Sequence, residues 1–144
     1  MSSPMRQTRC LGVSNYDATR KAIWANDFKS AVVSLMEAVQ RNPKYVDAHT
    51  MLGYSYRKLG TFDKSMEQYR IALKIDSNHR SALEYLGELY LEMNQPANAE
   101  KQLQIPKKAC PFFGKCAEYD DLKEAINKYK TNNSRARESS KENL

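Results

Sequence analysis

The sequence predicts an all-α solenoid of stacked helix-turn-helix units: three repeats followed by a C-terminal capping helix. Three observations carry that reading. The chain matches itself at an offset of 34 residues. Apolar residues within each unit recur at i, i+4 and i+7, one face of a helix. Gly or Asn stands between the two helices of a unit, where a helix has to stop.

The offset lays Ala48, Leu52, Gly53 and Tyr56 on Ala82, Leu86, Gly87 and Tyr90, and Phe28 and Ala38 on Phe62 and Ala72. Ala31, Ser65 and Ala99 fall in step. The first unit opens with a helix over about 14–25, carrying Tyr16, Ala18, Ala22 and Ile23, and turns at Asn26. Its second helix holds Phe28, Ala31, Val32, Leu35, Ala38 and Val39 before Asn42-Pro43. The second unit runs Leu52, Tyr56, Leu59, then Gly60, then Phe62, Met66, Tyr69 and Leu73. Asp76, Ser77 and Asn78 end it and are expected to cap the next helix. The third runs Leu83, Leu86, Tyr90 and Met93, turns at Asn94, and has Pro96 in the first turn of its second helix. Gly53 and Gly87 cost about 1 kcal/mol each inside a helix, so a partner helix is expected to approach closely there, with Ala72 as its matching small surface.

End units of a stack must hide an apolar face. Residues 117–130 suit that task, with Tyr119, Leu122, Ile126 and Tyr129 on one stripe. The expected layout is a flexible 1–12, a folded 13–130 with units at about 12–45, 46–79 and 80–110 and a cap at 117–130, and a disordered tail over 131–144.

These residues resemble the tetratricopeptide repeat family. The second unit supplies Leu52, Gly53, Tyr56, Gly60, Phe62, Ser65, Tyr69 and Ala72 of its pattern. The third supplies Leu83, Leu86, Gly87, Tyr90, Ala99 and Leu103, and the first Phe28, Ala31, Leu35, Ala38 and Pro43. The ending Cys110-Pro-Phe-Phe-Gly, then Cys116 and Glu118-Tyr119, is similar to that of small bacterial members, which are commonly exported. Against that stands the N-terminus: Arg6 and Arg9 are followed by no apolar run of secretory length, so the chain as written reads as cytoplasmic, or periplasmic if the true start lies upstream.

The resemblance implies a non-catalytic scaffold or adaptor that binds a peptide or helix of a protein partner in its concave face. The family's groove positions fall on Val13, Tyr16, Arg20, Ile23 and Trp24, then Asp47, Thr50, Tyr54, Arg57 and Lys58, then Ser81, Glu84, Glu88, Leu91 and Glu92. Tyr16 and Tyr54 are expected to offer aromatic contact, Arg20, Arg57 and Lys58 to pair with carboxylates, and Glu84 and Glu88 with a basic stretch. Chaperone-binding members clamp a terminal carboxylate with Lys, Asn and Arg. Here the equivalent places hold Tyr16, Arg20, Thr50, Met51, Ser81, Glu84 and Tyr85, so that clamp is absent and its third-unit charge is reversed.

No catalytic, metal or cofactor motif stands out. His49 fills a bulky packing position, and His79, beside Asn78, is expected to face solvent. Cys110 and Cys116 leave two readings, a disulfide in an oxidising compartment or two reduced thiols; Cys10 has no evident partner. Composition excludes more than it selects. At 144 residues there is room for one domain, and no apolar run approaches the ~20 residues of a membrane span. The net charge of +6 keeps nucleic acid in view, but half of it lies in 1–12 and 131–144. The groove also mixes Asp47, Glu84, Glu88 and Glu92 with its bases, which argues against a phosphate track. Self-assembly into a homo-oligomeric scaffold is the main alternative to a foreign partner.

Overall fold

Helix propensity and 3.6-residue periodicity yield seven helices in the described part of the chain. The computed structural model describes residues 16–104, 110 and 116–143. The helices are α1 (Tyr16–Trp24), α2 (Phe28–Arg41), α3 (Val46–Lys58), α4 (Phe62–Ile75), α5 (Arg80–Glu92), α6 (Pro96–Gln102) and α7 (Ala117–Glu142). Each packs on its chain neighbour, and α7 packs chiefly on α5 and less on α6.

The turns repeat as the sequence does. Asn26, Gly60 and Asn94 are spaced by 34 and have φ of 57°, 76° and 58°. Asn tolerates this left-handed region because its short polar side chain bonds locally; Gly enters it freely. At all three the same bond pair closes the helix. Asp27, Thr61 and Gln95 N–H groups reach back to the carbonyls of Ala22, Tyr56 and Tyr90, at 2.8, 2.9 and 2.7 Å. Asn26, Gly60 and Asn94 N–H groups reach Ile23, Arg57 and Leu91, at 3.0, 2.9 and 3.0 Å. This is the Schellman arrangement, which satisfies helix-end carbonyls otherwise left open. Asp27 then caps α2, its carboxylate accepting from the Ser30 hydroxyl (2.6 Å) and backbone N–H (3.2 Å). Those Ser30 bonds hold the Asp27 carboxyl below the usual carboxylate range.

Between helices the core is continuous. Ile23, Leu35, Met51, Leu52, Tyr69, Tyr85 and Leu89 form its main body, and Leu91, Ala99, Leu122 and Ile126 a second cluster that Tyr90 joins to the first. The glycine contacts differ from expectation. A Cβ on Gly53 would stand 2.7 Å from the Tyr69 ring, so that ring, rather than Ala72, uses the space. The Ser65 hydroxyl completes this crossing by donating to the Gly53 carbonyl at 2.7 Å.

At the third unit α6 is only 7 residues, half the 14 of α2 and α4. None of the three atoms nearest to a Gly87 Cβ belongs to it. Leu122 of α7 fills that place instead, with its methyls 2.6 Å from where a Gly87 Cβ would be. The capping helix therefore completes the third unit as well as covering it.

The tail departs from the disordered segment expected over 131–144: α7 continues to Glu142. Residues 131–143 are all exposed, so no packing holds them. The helix lacks Gly and Pro there, and Thr131 and Ser134 return their hydroxyls to the carbonyls of Asn127 and Lys130 at 2.9 Å each. Glu118 and Asp120 in its first turn and Lys141 in its last suit the helix dipole. The segment 1–12, expected to be flexible, lies outside the described residues.

Candidate functional site

The concave positions come from α1, α3 and α5, the first helix of each unit. Their spacing brings several predicted residues together, though in a more closed arrangement than an open groove. Thr50, Tyr54, Arg57, Glu84 and Leu91 are buried, at 0%, 5%, 5%, 1% and 8% exposure. Two causes are visible. The hydroxyl of Thr50 folds back onto the Val46 carbonyl at 2.9 Å. The larger cause is an aromatic and ionic stack across units two and three.

Tyr54 is its centre. Its ring lies 5.1 Å from that of Tyr85 on α5 and meets Phe28 of α2 edge-on at 6.0 Å. Tyr85 in turn lies 6.5 Å from Tyr69 of α4. Such tilted and edge contacts align the positive ring rim with a negative ring face. The Arg57 guanidinium and the Lys58 ammonium lie 5.3 and 5.4 Å from the Tyr54 ring centre, within cation–π range.

Arg57 then bridges the units. One guanidinium nitrogen donates to Glu88 and another to Glu92, each at 2.6 Å. The two acids stand one turn apart on α5 and repel each other, and the forked cation between them removes that repulsion. Burial works against the Arg57 charge, but Tyr69, Glu88 and Glu92 outweigh it and drive its pKa further up. Burial, and then the Arg57 charge, lower the Lys58 ammonium. Burial raises the Tyr69 phenol above its ordinary range.

At the mouth of this face sits a pairing absent from sequence reasoning. His79 was expected to face solvent, but it is the N-cap of α5. Its Nδ1 accepts the Ala82 N–H at 3.2 Å, so its Nε2 carries the proton and meets Asp47 of α3 at 2.8 Å. The Asn78-His79 start of the helical run was the available signal; expecting Asp76–Asn78 to supply the cap obscured it. His49 is buried as expected, its ring nitrogens meeting the Pro43 carbonyl and the Gln68 amide at 2.8 Å each.

The open part of the face is its rim. Trp24 is 52% exposed; Arg20, four residues before it, and Lys58, at the matching position 34 residues on, are exposed as well. Asp47 is partly exposed and Glu92 exposed, both already paired. Val13 and the Tyr16 side chain lie outside the described residues.

Cys110 and Cys116, the second of them buried, carry no bond between their sulfurs in this structure. They lie side by side where the third unit meets the cap. Cys116 donates to the Glu118 carboxylate at 3.5 Å, which itself lies 3.7 Å from Arg80. Burial and the Cys116 contact push the Cys110 thiol up to about 11. Cys10 is outside the described residues. Among the described residues no three His, Cys, Asp or Glu side chains gather as metal ligands, and no helix is long and apolar enough to cross a membrane.

Comparison with known proteins agrees with this architecture. Residues 46–79 match the tetratricopeptide repeat model. Protein bimA of Emericella nidulans is 28% identical over 85 residues, which cover 59% of this chain and 10% of that protein. The chain thus spans about a tenth of that relative's length. Among solved structures, the TPR2B domain of yeast Sti1, in complex with pHsp70, superposes with a TM-score of 0.71 at 14% identity, covering 91% of this chain and 99% of that one. The Yersinia enterocolitica type III secretion translocator chaperone SycD gives 0.65 at 13% identity, covering 89% and 90%. Residues 46–79 are thus a tetratricopeptide repeat, and the described helix pairs with their left-handed turns at a spacing of 34 share the fold of the two solved structures.

Proposed function

We propose that the chain is a non-catalytic scaffold that holds a segment of a protein partner on its concave face. The observation that carries this reading is the cluster of Tyr54, Tyr85 and the Arg57–Glu88–Glu92 fork, with the exposed Lys58 ammonium over the Tyr54 ring and Trp24, 52% exposed, at the matching position of the first unit. A preorganised floor with an exposed aromatic anchor binds a segment without first paying to order its own side chains. Of the two solved structures with this fold, one is a domain in complex with pHsp70 and the other a secretion translocator chaperone, which supports a protein-binding role. A terminal-carboxylate ligand of the Hsp70 kind is a poor match here, because Glu84 stands where that clamp needs a base.

The test is affinity capture with mass spectrometry, comparing the parent chain with Trp24→Ala/Lys58→Glu. Both residues are exposed, so folding is spared. Loss of a reproducibly captured protein supports the reading; equal recovery by both chains rejects it. Light scattering over a concentration series, run alongside, shows whether the captured partner is a second copy.

A further inference from the structure

The junction of the third unit and the cap has less helix behind it than the earlier units have. α6 is 7 residues long against the 14 of α2 and α4, and α7 leans on α5 more than on α6. The chain that leaves α6 must still deliver α7 so that Leu122 meets Gly87. Two sulfurs stand at that junction. Cys116 directly precedes α7, is 2% exposed, and has extended backbone with φ of −137° and ψ of 110°. Its thiol does not cap the helix backbone but donates to the Glu118 carboxylate at 3.5 Å. Cys110 is partly exposed and lies against it, with Cys116, Arg80 and Glu118 as the groups that act on its thiol. Neither cysteine is part of either apolar cluster. Among the described residues no third His, Cys, Asp or Glu gathers with them as a metal ligand.

We infer that Cys110 and Cys116 are a reversible thiol pair that closes to a disulfide when it meets a disulfide-bearing oxidant, and that this bond fastens the cap to the third unit. With glutathione disulfide as the oxidant the exchange has two steps. Cys110, the more exposed sulfur, attacks one sulfur of glutathione disulfide. The bond between the two glutathiones breaks, a Cys110–glutathione bond forms, and one glutathione leaves with the Cys110 proton. Cys116 then attacks the Cys110 sulfur. The mixed bond breaks, the Cys110–Cys116 bond forms, and the second glutathione leaves with the Cys116 proton. The protein gives up two electrons and two protons, and glutathione disulfide takes both. Cys116 is too buried to meet a second oxidant molecule, so the end point is one internal bond rather than two adducts. That bond closes a loop of 7 residues and restricts the unfolded chain, which favours the state in which α7 is docked. A dithiol reverses it.

The full chain is held in glutathione buffers, its remaining thiols are blocked with iodoacetamide in denaturant, and its tryptic peptides are read by mass spectrometry. Trypsin cuts after Lys108, Lys115 and Lys123, so the bond shows itself as peptide 109–115 joined to peptide 116–123. With glutathione disulfide in about tenfold excess over glutathione, the joined pair should replace both blocked thiols in most molecules. Excess dithiothreitol should abolish it. The bonded chain should melt about 5 °C above the reduced one. Cys110→Ser should show neither the joined pair nor the rise in Tm. Two blocked thiols in the oxidising buffer overturn the inference. So does a glutathione adduct that persists on Cys110 beside a blocked Cys116, and so does a joined pair that carries Cys10 instead. A bond that forms without raising the Tm overturns its role in fastening the cap.

Discussion

Leu122 of α7 occupies the notch that Gly87 leaves in α5, its methyls 2.6 Å from the place of a Cβ. Leu122 is fully buried and has nowhere to retreat. Gly87→Ala should therefore destabilise by about 1–2 kcal/mol, overpacking outweighing the helix propensity that Ala gains. Leu122→Ala should cost about 2–5 kcal/mol as a cavity. The double variant should cost clearly less than the sum, because the new methyl enters the new space. Urea unfolding of the four chains as a double-mutant cycle checks this; simple additivity would show that the contact is not made.

Arg57 ties the second unit to the third. Arg57→Met should cost about 2–3 kcal/mol, below the 3–5 of a wholly buried pair because Glu92 is 42% exposed. Adding Glu88→Gln and Glu92→Gln should restore most of the loss, since the damage comes from uncompensated acids. A thermal melt of the single and triple variants separates this from lost packing, which the two Gln changes would leave uncorrected.

The pH dependence has a defined sign at the alkaline end. The Cys110 thiol is pushed up to about 11 and the Tyr69 phenol above its ordinary range, in both cases first by burial. A group held neutral in the folded chain and ionised in the unfolded one favours folding fully below its unfolded pKa. That contribution is lost as pH climbs toward the folded value. The Tm should hold to about pH 9 and fall between there and pH 11. Cys110→Ser should fall less steeply. A Tm equal at pH 8 and pH 11 would contradict both shifts.

The far half of α7 is exposed along its length, so removing residues 131–144 should change the unfolding free energy in urea by no more than about 0.5 kcal/mol. The helical circular dichroism should fall by the share of residues 131–142. A large loss of stability would mean that the exposed extension supports the fold.

The turn positions were fully legible, because Asn26, Gly60 and Asn94 declare themselves by spacing alone and backbone conformation is a local matter. The closed state of the concave face was not. Whether Arg57 meets Glu88 and Glu92 depends on the rotation between successive units, which arises from the sum of many side-chain contacts. The partner of Gly87 was hidden for a related reason. Sequence spacing pointed to the second helix of its own unit, but with α6 only 7 residues long the place is taken by a residue 35 positions away. His79 was misread because a local alternative, the Asp76–Asn78 cap, looked sufficient.

The cap that completes the third unit also limits how copies of this chain can join. Lys123, Glu124, Asn127 and Lys128 on α7 turn outward and are exposed, so that end presents charge to whatever approaches. A fibre of stacked copies needs two different, mutually fitting ends on every molecule. The exposed charge on α7 places no apolar face at that end for such a join.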